Sequence, residues 1–460
     1  MTSWADKHVL VLGLGETGLS LARWLSAQRA HVRVADSRGN PPGLDVLSRD
    51  CPQAEMRCGA FDDSLLDGVE FIAISPGVPM ADPFVQRAVA RGIPVEGDIE
   101  LFAQQLATSD LRLTTKVLAI TGANGKTTVT SMVEHLCKAA GKDAVAAGNI
   151  SPAVLDVVLA RGDKQPEVWV LELSSFQLET TSTLNADAAT VLNISEDHLD
   201  RYDGMDGYAA AKARIFHGSG VQLLNRDDAR SMGMALPGRN VVTFGLDAPK
   251  NENDWGIVRD GADIWLAQGS ERLMKASELQ VAGLHNVANA LAALALCRAI
   301  DLPIPVLLAA LRGFKGLPHR VERVAEIDGV VYYDDSKGTN VGATEAALKG
   351  LGRKAVVILG GEGKGQDFSP LNSAVAQHAR AAVLIGRDAP LIEAALQGCG
   401  VPLQRAADMN DAVHKSARLA QRGDAVLLSP ACASFDMFRN YAHRAEVFVA
   451  AVRDLQKEAA

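Results

Sequence analysis

The sequence predicts an α/β protein of three domains, each built on a mainly parallel sheet. Short apolar runs that end at glycines alternate with segments of helical period along the whole chain, which is typical of parallel sheets covered by helices on both faces. The 460 residues exceed the roughly 100 to 200 residues of one domain. The alternation restarts after the polar segment 107–115 and again after residues 316–320. These breaks place the domains at residues 1–97, 98–316 and 317–460.

The first and third domains are both predicted to be Rossmann-like. In the first, a helix at 17–29 accompanies strands at 9–12, 32–35 and 71–75. In the third, helical stretches separate strands at 330–333, 355–359, 382–385 and 425–428. The central domain begins with a strand at 117–120 that runs through a glycine-rich turn into a long helix near Lys126. Its later elements are strands at 168–173, 189–194, 221–224 and 241–244 and a helix at 285–300.

The composition limits the possible functions. Acidic residues outnumber basic ones by 55 to 46, whereas nucleic-acid binding requires concentrated positive charge, so no nucleic-acid partner is expected. Residues 1–7 lead into the first strand without a basic start or an apolar signal core, and no apolar run approaches the roughly 18 residues of a spanning helix. We therefore expect a soluble, cytoplasmic protein without membrane insertion. The six cysteines form no Cys-x-x-Cys pair, which favours reduced thiols over a disulfide between Cys51 and Cys58.

The strongest motif is Thr-Gly-Ala-Asn-Gly-Lys-Thr-Thr at residues 121–128, between the first strand and the first helix of the central domain. Its glycines let backbone amides converge on phosphate oxygens, and Lys126 supplies positive charge. The helix N-terminus favours anions, and the Thr127 hydroxyl is placed to bind Mg2+. The motif therefore predicts a central P-loop mononucleotide-binding ATPase domain. The expected ATP ligands within it are Gly122, Asn124, Gly125, Lys126, Thr127 and Thr128.

This loop resembles the ATP loop of the Mur ligases and their folylpolyglutamate synthase relatives. Only two residues separate Gly122 from Gly125, whereas the generic phosphate loop has four residues between its glycines. Leu-Glu-Leu-Ser-Ser-Phe-Gln-Leu-Glu at 171–179 and Asn-Ile-Ser-Glu-Asp-His-Leu-Asp at 193–200 resemble the metal-binding strands of the same family. The similarity covers essentially the whole chain. It implies an ATP-dependent amide ligase that works through an acyl phosphate and uses two Mg2+ ions.

The resemblance is strongest to the branch of the family that adds D-glutamate to UDP-N-acetylmuramoyl-L-alanine during peptidoglycan precursor synthesis. Gly-Leu-Pro-His-Arg-Val-Glu at 316–322 and Ser-Pro-Ala-Cys-Ala-Ser-Phe-Asp at 429–436 carry this similarity. It implies these two molecules as the binding partners of a monomeric enzyme. Siblings that add another amino acid remain the nearest alternative.

Metal ligands are expected at the ends of two central strands. Glu172 and His198 each end a run of strand character, and strand ends on one side of a parallel sheet converge on the ligand crevice. An imidazole is a soft ligand for Mg2+, so a structural or hydrogen-bonding His198 remains a competing interpretation. On spacing alone Lys212 would be an exposed helical lysine, but the resemblance implies a carbamylated lysine that helps to hold the second ion. The resulting assignments are Thr127, Glu172, His198 and Lys212 as metal ligands and Lys126, His198, Lys212 and Lys337 as catalytic residues.

The first domain carries a second glycine motif. Gly-Leu-Gly-Glu-Thr-Gly at 13–18 follows a strand and opens a helix, and Asp36 lies near the ribose-reading position of a dinucleotide fold, so this motif alone predicts NAD. A dehydrogenase needs no P-loop, however, and the same glycines can receive the diphosphate of a UDP-sugar. The resemblance assigns the UDP-substrate to Gly15, Glu16, Thr17, Ser37, Arg38, Gly77, Asn149, Ser174, Gln177 and His198. A turn or capping role remains open for Thr17 and Ser37.

The remaining assignments concern adenine and the incoming amino acid. Asn286 and Asn289 lie one turn apart on a predicted helix, and the resemblance assigns this face to adenine, while capping and buried polar roles stay open. The third-domain motifs follow strands and therefore lie at the sheet edge where ligands bind. The resemblance places Arg320 at the ATP phosphates, Asp335 at the ribose and Lys337 near the acyl phosphate. It assigns the amino acid to Thr339, Lys364, Ser434, Phe435 and Tyr441, although an apolar aromatic was expected at the last position.

Two interpretations from other functional classes remain. A nucleotide-regulated binding protein could use both glycine loops as sensors, and a nicotinamide oxidoreductase could use the first loop alone. Phosphate release that depends on an added amine distinguishes the ligase from a sensor, and tight NAD binding would favour the oxidoreductase.

Overall fold

The computed structural model describes residues 4–108, 115–197, 201–281 and 283–458, which contain three sheets. The first sheet has five parallel strands in the order β3-β2-β1-β4-β5. Its strands and helices are β1 (His8–Leu12), α1 (Glu16–Ala27), β2 (His31–Asp36), α2 (Leu44–Asp50), β3 (Glu55–Cys58), β4 (Phe71–Ile74), α3 (Pro83–Ala90) and β5 (Val95–Glu96). Val9 and Val11 pack into one core while Leu10 and Leu12 pack into another, because successive strand residues face opposite sides. Helices cover both faces of this sheet, as the Rossmann-like prediction requires.

The second sheet has nine strands in the order β14-β13-β12-β11-β10-β9-β6-β8-β7. The elements of this region are α4 (Asp98–Thr108), β6 (Lys116–Thr121), α5 (Lys126–Ala139), β7 (Ala144–Gly148), α6 (Val154–Arg161), β8 (Val168–Glu172), α7 (Ser175–Glu179), β9 (Ala188–Val191), α8 (Gly204–Ala213), β10 (Val221–Asn225), α9 (Ala229–Met232), β11 (Val241–Phe244), β12 (Trp255–Asp260), β13 (Asp263–Gln268), β14 (Glu271–Lys275), α10 (Leu284–Arg298) and α11 (Ile304–Arg312). Strands β12 to β14 form an antiparallel extension that the sequence analysis did not predict. Charged residues interrupt the apolar residues of these three strands. Strand β7 was also not predicted, because it consists mainly of alanine, which has little strand preference.

The third sheet has six strands in the order β15-β16-β20-β17-β18-β19, of which only the β15–β16 pair is antiparallel. The elements are β15 (Glu322–Ile327), β16 (Val330–Asp334), α12 (Val341–Gly350), β17 (Ala355–Gly360), α13 (Leu371–His378), β18 (Ala379–Ile385), α14 (Ala389–Ala395), β19 (Leu403–Arg405), α15 (Met409–Leu419), β20 (Ala425–Leu428) and α16 (Tyr441–Glu458). The sequence analysis missed β15, which is rich in charged residues, and β19, which has three residues. Within the described ranges, no helix combines the length and the apolar character needed to cross a membrane.

The first and second sheets share one continuous hydrophobic core. Trp24 and Phe71 belong to the same buried cluster as Phe102 of α4 and Trp169 of β8, and the last two rings meet edge to face at 4.9 Å. Arg201 adds a polar connection, because its Nη1 donates to the Pro76 carbonyl at 2.6 Å. The first two predicted domains are therefore packed together, and the exact limits at 97/98 and 316/317 stay predictions.

Asp98 is a buried carboxylate at the start of α4. It is fully buried, and its carboxylate accepts a hydrogen bond from Gln177 Nε2 at 3.2 Å. Burial raises the pKa of Asp98 from 3.8 to about 6. Between these two values the folded state binds more protons than the unfolded state, so the stability falls as the pH rises through this window.

We expect Asp98→Asn to raise the free energy of unfolding by about 1 to 2 kcal/mol at pH 8. At a pH above both pKa values, a pKa raised by about two units lowers the free energy of unfolding by about 3 kcal/mol, and the neutral asparagine removes this cost. The amide N–H of asparagine needs a hydrogen-bond acceptor, which offsets part of the stabilisation. Chemical denaturation at pH 8 and at pH 4 measures the effect, and the stabilisation should be lost at the lower pH. Asp206→Asn, at a side chain that is 92% exposed, is the matched control and should leave stability unchanged. A destabilised Asp98→Asn protein at pH 8 would contradict the expectation.

Candidate active site

The P-loop connects β6 to α5 in a conformation that only its glycines allow. Gly125 has φ of +85°, and a Cβ there would lie 2.8 Å from Asn289 Oδ1. Asn193 fixes the loop from the next strand, since its Oδ1 accepts from Asn124 N at 2.8 Å and its Nδ2 donates to Asn124 O at 3.0 Å. The Asn193 side chain therefore positions the backbone of the loop at Asn124.

Lys126, the first residue of α5, folds back over this loop. Its Nζ donates to Gly122 O at 2.8 Å and to Ala123 O at 3.0 Å. Burial lowers the pKa of Lys126, while the negative charges of Glu172 and Asp197 act in the opposite direction. The ammonium group thus lies at the P-loop turn, with the carboxylates of Glu172 and Asp197 nearby.

Glu172 ends β8 beside the P-loop and is 2% exposed. Its Oε1 accepts from Asn149 Nδ2 at 2.8 Å, whereas its Oε2 is buried without a hydrogen-bond partner among the described residues. A buried carboxylate oxygen without a donor fits a hard cation such as Mg2+, which prefers oxygen ligands. Glu172 and Asp197 both line the larger of two cavities beside the P-loop. His198 lies outside the described residues.

Lys212 lies on α8 and is 1% exposed, so the exposed position that its spacing suggested is wrong. Its Nζ lies 3.3 Å from Thr121 Oγ1 and 4.7 Å from the centre of the Tyr208 ring. Burial lowers the pKa of Lys212 strongly, and the nearby positive charge of Lys126 lowers it further. Both effects favour the neutral amine over the ammonium form.

The third sheet contributes residues that reach across to the P-loop. Arg320 Nη2 donates to Thr127 Oγ1 at 2.9 Å, and Asn340 Nδ2 donates to Asn124 Oδ1 at 3.2 Å. Asp335 is buried and accepts from Ser429 Oγ at 2.7 Å, and burial raises its pKa to about 7. The sequence-predicted ATP residues of the central and third domains are thus brought together.

Two adjacent cavities lie between the second and third sheets. The smaller, of about 250 Å³, is lined by Asn286 and Asn289, with Asn289 Nδ2 donating to Asn286 Oδ1 at 3.2 Å. The larger, of about 650 Å³, lies on the other side of the P-loop. The predicted residues that line it are Asn124, Gly125, Lys126, Thr127, Asn149, Glu172, Arg320, Lys337, Thr339 and Tyr441. A nucleotide base and a reacting phosphate group could therefore occupy neighbouring spaces.

The predicted UDP-substrate residues of the first domain follow the C-terminal ends of its strands. Gly15 to Thr17 follow β1, Ser37 and Arg38 follow β2, and Gly77 follows β4. Arg38 forms an ion pair with Asp36 at 2.7 Å, which holds the pKa of Asp36 at about 2. These residues share one edge of the first sheet, although they line neither of the two cavities.

Ser174 and Gln177 are engaged within the protein. They form a capping box on α7, in which Ser174 Oγ accepts from Gln177 N at 3.2 Å. Gln177 Oε1 accepts from Ser174 N at 3.1 Å, and its Nε2 donates to Asp98. Gln177 is 2% exposed, so it lies beneath the site rather than at its surface.

The amino-acid residues predicted in the third domain fall into two groups. Thr339 and Tyr441 line the larger cavity, and Lys337 Nζ lies 3.9 Å from the centre of the Tyr441 ring. Lys364, Ser434 and Phe435 line neither cavity. Their two loops are joined by a pair of backbone hydrogen bonds between Glu362 and Ala433, and the Phe435 side chain is 66% exposed.

The sequence analysis did not single out Asn193, Asn340, His319 or Asp334 as site residues. Asn193 and Asn340 follow β9 and β16, where polar residues after a strand could have been a signal. His319 Nδ1 lies 2.7 Å from Asp334 Oδ2. This pairing depends on the fold and has no local sequence pattern.

Comparison with known proteins identifies the family of the chain. Profiles described as the Mur ligase MurD-like N-terminal domain, the Mur ligase middle domain and the Mur ligase glutamate ligase domain match residues 7–97, 120–297 and 319–432. The UDP-N-acetylmuramoylalanine–D-glutamate ligase of Nitrosomonas europaea is 57% identical over 99% of this chain and 98% of its own length. The chain belongs to the Mur ligase family. The protein of the same name from Methylobacillus flagellatus is 59% identical over 100% of this chain and 99% of its own.

Solved structures of Mur ligases share the fold. The UDP-N-acetylmuramate-alanine ligase of Thermotoga maritima aligns with 98% of this chain and 99% of its own at a TM-score of 0.58, with 20% sequence identity. A Mur ligase from Acinetobacter baumannii described as MurF covers 99% of this chain and 92% of its own at a TM-score of 0.60, with 18% identity. Together with the three sheets, these similarities confirm the predicted α/β fold of three Mur ligase domains.

Proposed function

We propose that this Mur ligase joins D-glutamate to UDP-N-acetylmuramoyl-L-alanine by an amide bond, with hydrolysis of ATP to ADP and phosphate. The observation that carries the proposal is the 57 to 59% identity, over nearly the full length, to proteins named UDP-N-acetylmuramoylalanine–D-glutamate ligase. The reaction belongs to peptidoglycan precursor synthesis, and its nucleotide-linked substrate and ATP place the proposed enzyme in the cytoplasm. We further propose that the enzyme acts as a monomer with domains divided near 97/98 and 316/317.

A carboxylate is a poor electrophile, so the proposed reaction begins with phosphoryl transfer from ATP to the substrate carboxylate. Such transfers depend mainly on positioning and on compensation of negative charge. Lys126 and Arg320 supply positive charge at the P-loop, and Asn286 and Asn289 line the adjacent cavity that suits adenine. Lys337 also lines the larger cavity, where it can compensate the charge of the acyl phosphate.

Glu172, Thr127, His198 and Lys212 are the proposed ligands for two Mg2+ ions, and the buried Glu172 Oε2 without a donor supports this assignment. When bound, Mg2+ neutralises phosphate charge and orients the transferring group. We propose that Lys212 adds CO2 through its neutral amine, so that the side chain becomes a carbamate anion and a proton is released. The strong lowering of its pKa by burial supports this modification, because only the neutral amine reacts with CO2.

In the second step the amine of the amino acid attacks the acyl carbon, the amide C–N bond forms, and phosphate leaves with the electrons of the C–O bond. Thr339 and Tyr441 line the cavity in which this attack takes place, and Lys364, Ser434 and Phe435 are proposed to complete the amino-acid site. The larger cavity lies between two sheets, so that protein on both sides limits access of competing water. The proposed UDP-substrate residues of the first sheet hold the other end of the acceptor.

The proposal is tested by measuring phosphate release with Mg-ATP, UDP-N-acetylmuramoyl-L-alanine and one amino acid at a time. We expect rapid release with D-glutamate and background release with L-glutamate, L-alanine or diaminopimelate. Release with a different amino acid would replace the proposal by a sibling activity. Release that does not depend on any amine would contradict ligation.

A further inference from the structure

His319 is held in an unusual backbone conformation at the edge of the larger cavity. Its φ is +64°, in the left-handed region that costs a non-glycine residue roughly 1 kcal/mol or more. Its N–H donates to Glu322 Oε2 at 2.9 Å, and its carbonyl accepts from Lys337 N at 3.2 Å. These contacts, together with the ring contact to Asp334, maintain one orientation of the imidazole.

Asp334 orients the His319 ring from beneath the cavity. The carboxylate is 1% exposed, its Oδ1 accepts from Ser336 N at 2.9 Å, and its Oδ2 lies 2.7 Å from His319 Nδ1. A carboxylate can only accept this hydrogen bond, so Nδ1 carries the proton and Nε2 carries the lone pair in the neutral imidazole.

The His319 ring lies at the larger cavity, in which the proposed reaction takes place. His319 lines the same cavity as Lys126, Glu172 and Lys337 and is the one imidazole among the described residues that line it. Its side chain is 25% exposed, and its ring centre lies 6.1 Å from that of Tyr441. The charged or titratable groups that face it or lie next to it are Asp334, Glu322, Arg320, Lys337 and Tyr441.

The proposed ligation requires a general base for the amine, and none of the proposed site residues has that role. The amine of a free amino acid is protonated at neutral pH, and only its unprotonated form has the lone pair that attacks an acyl phosphate. Positioned imidazoles are the most frequent general bases in proteins and typically contribute 10²- to 10⁴-fold to a rate. The other titratable groups along the cavity are carboxylates near the proposed metal, half-buried lysines and an arginine assigned to phosphate, and the phenol of Tyr441, which is assigned to the amino acid.

We infer that His319 is the general base that removes a proton from the ammonium group of the amino-acid substrate, and that Asp334 is the positioning residue for this imidazole. The inference rests on the proposed function and deepens it. His319 Nε2 takes one proton from the ammonium group, and the freed nitrogen lone pair forms the C–N bond. Phosphate leaves with the electron pair of the broken C–O bond and takes up the second proton that the nitrogen loses as the amide forms. The proton is then released to solvent through the exposed side of the ring.

The geometry favours this dyad over a third metal site. Ligand atoms of His319, Glu322 and Asp334 lie within 4.8 Å of one another, a spacing that could also hold an ion. However, His319 Nδ1 and Asp334 Oδ2 form a direct hydrogen bond, and the Glu322 carboxylate accepts the His319 N–H. The donors and acceptors of the cluster thus satisfy one another.

The test compares two nucleophiles in the His319→Gln protein. Hydroxylamine is a weakly basic amine that is already unprotonated at neutral pH, so it can trap the acyl phosphate as a hydroxamate without a general base. With Mg-ATP and UDP-N-acetylmuramoyl-L-alanine at pH 7.5, we expect amide formation with D-glutamate to fall by about 100-fold or more, while hydroxamate formation stays within about threefold of the unsubstituted protein. His378→Gln, on α13 and away from both cavities, is the matched control and should leave both rates unchanged.

The outcomes of this comparison distinguish a failure of the role proposed for His319 from a failure of the proposed ligase function. Equal loss of both products, or unchanged amide formation, would overturn the role of His319 as the base. Absence of hydroxamate with the unsubstituted protein would instead overturn the proposed acyl phosphate chemistry. If His319→Gln does not fold, Asp334→Asn carries the same comparison, and we expect amide formation to fall by about tenfold relative to hydroxamate formation. An unchanged ratio of the two products in that variant would also overturn the inference.

Discussion

Replacement of Lys126 by alanine is expected to lower ATP-dependent phosphate release by on the order of 10³-fold, since groups that compensate transition-state charge in phosphoryl transfer are worth this much or more. Lys126 Nζ lies over the P-loop turn, bonded to Gly122 O and Ala123 O. The alanine protein loses that positive charge while the glycines that shape the turn remain. Steady-state phosphate release with saturating substrates measures the loss.

The same Lys126→Ala protein should still bind UDP-N-acetylmuramoyl-L-alanine with little change in affinity. The proposed UDP contacts follow strands of the first sheet, whereas Lys126 begins α5 beside the second sheet. Isothermal titration calorimetry measures this binding. Lys138→Ala is the matched control, because Lys138 lies on the same helix, is 57% exposed and pairs only with Glu134 among the described ion pairs. Equal loss of substrate binding and ATP turnover in the Lys126→Ala protein would contradict the division of labour between the two sites.

The P-loop could be predicted from the sequence because all of its determinants are local. The strand β6, the two glycines, Lys126 and the two threonines that follow it all lie within the 13 residues 116–128. The observed turn requires Gly125 at φ of +85°. The side chains that hold this loop could not be predicted in the same way. Asn124 bonds to Asn193 across 69 positions and to Asn340 across 216 positions. Such contacts follow from the packing of strands and domains and leave no periodic signal.

The burial of individual side chains also could not be predicted from the spacing of residues in the sequence. Lys212 and Asp98 have the composition and spacing of ordinary helix-surface residues, but α8 packs against the end of β6 and α4 packs into the core shared by the first two sheets. Parallel strands whose two faces are both apolar, such as β6 and β17, were predictable, whereas the charged strand β15 and the alanine-rich β7 were not. The family resemblance singled out Lys212 as a site residue, and the structure shows that its side chain is buried.

Replacement of Lys212 by alanine is expected to lower ligase activity by on the order of 10³-fold, comparable to the loss of a major electrostatic contribution to catalysis. If the carbamate is the functional group, a short carboxylate that diffuses into the space left by the side chain should restore part of the activity. We expect acetate or formate to raise the rate of Lys212→Ala in a saturable manner, while chloride at equal ionic strength has no effect. Lys349→Ala, at an exposed lysine of α12, is the control and should respond to neither salt.

Lys212→Arg separates a carbamate from a simple cation at this position. Arginine keeps a positive charge but cannot form the carbamate, so the proposal requires this protein to be as inactive as Lys212→Ala. In the unsubstituted protein, 13C-labelled bicarbonate should give a carbamate signal in the NMR spectrum that is absent from both variants. Burial favours this chemistry, because it lowers the pKa of Lys212 and so favours the neutral amine that reacts with CO2. An active Lys212→Arg protein would mean that the buried amine acts as a cation. The second magnesium ion would then need a different anionic ligand, and Asp197, which lines the larger cavity, carries a carboxylate that could serve.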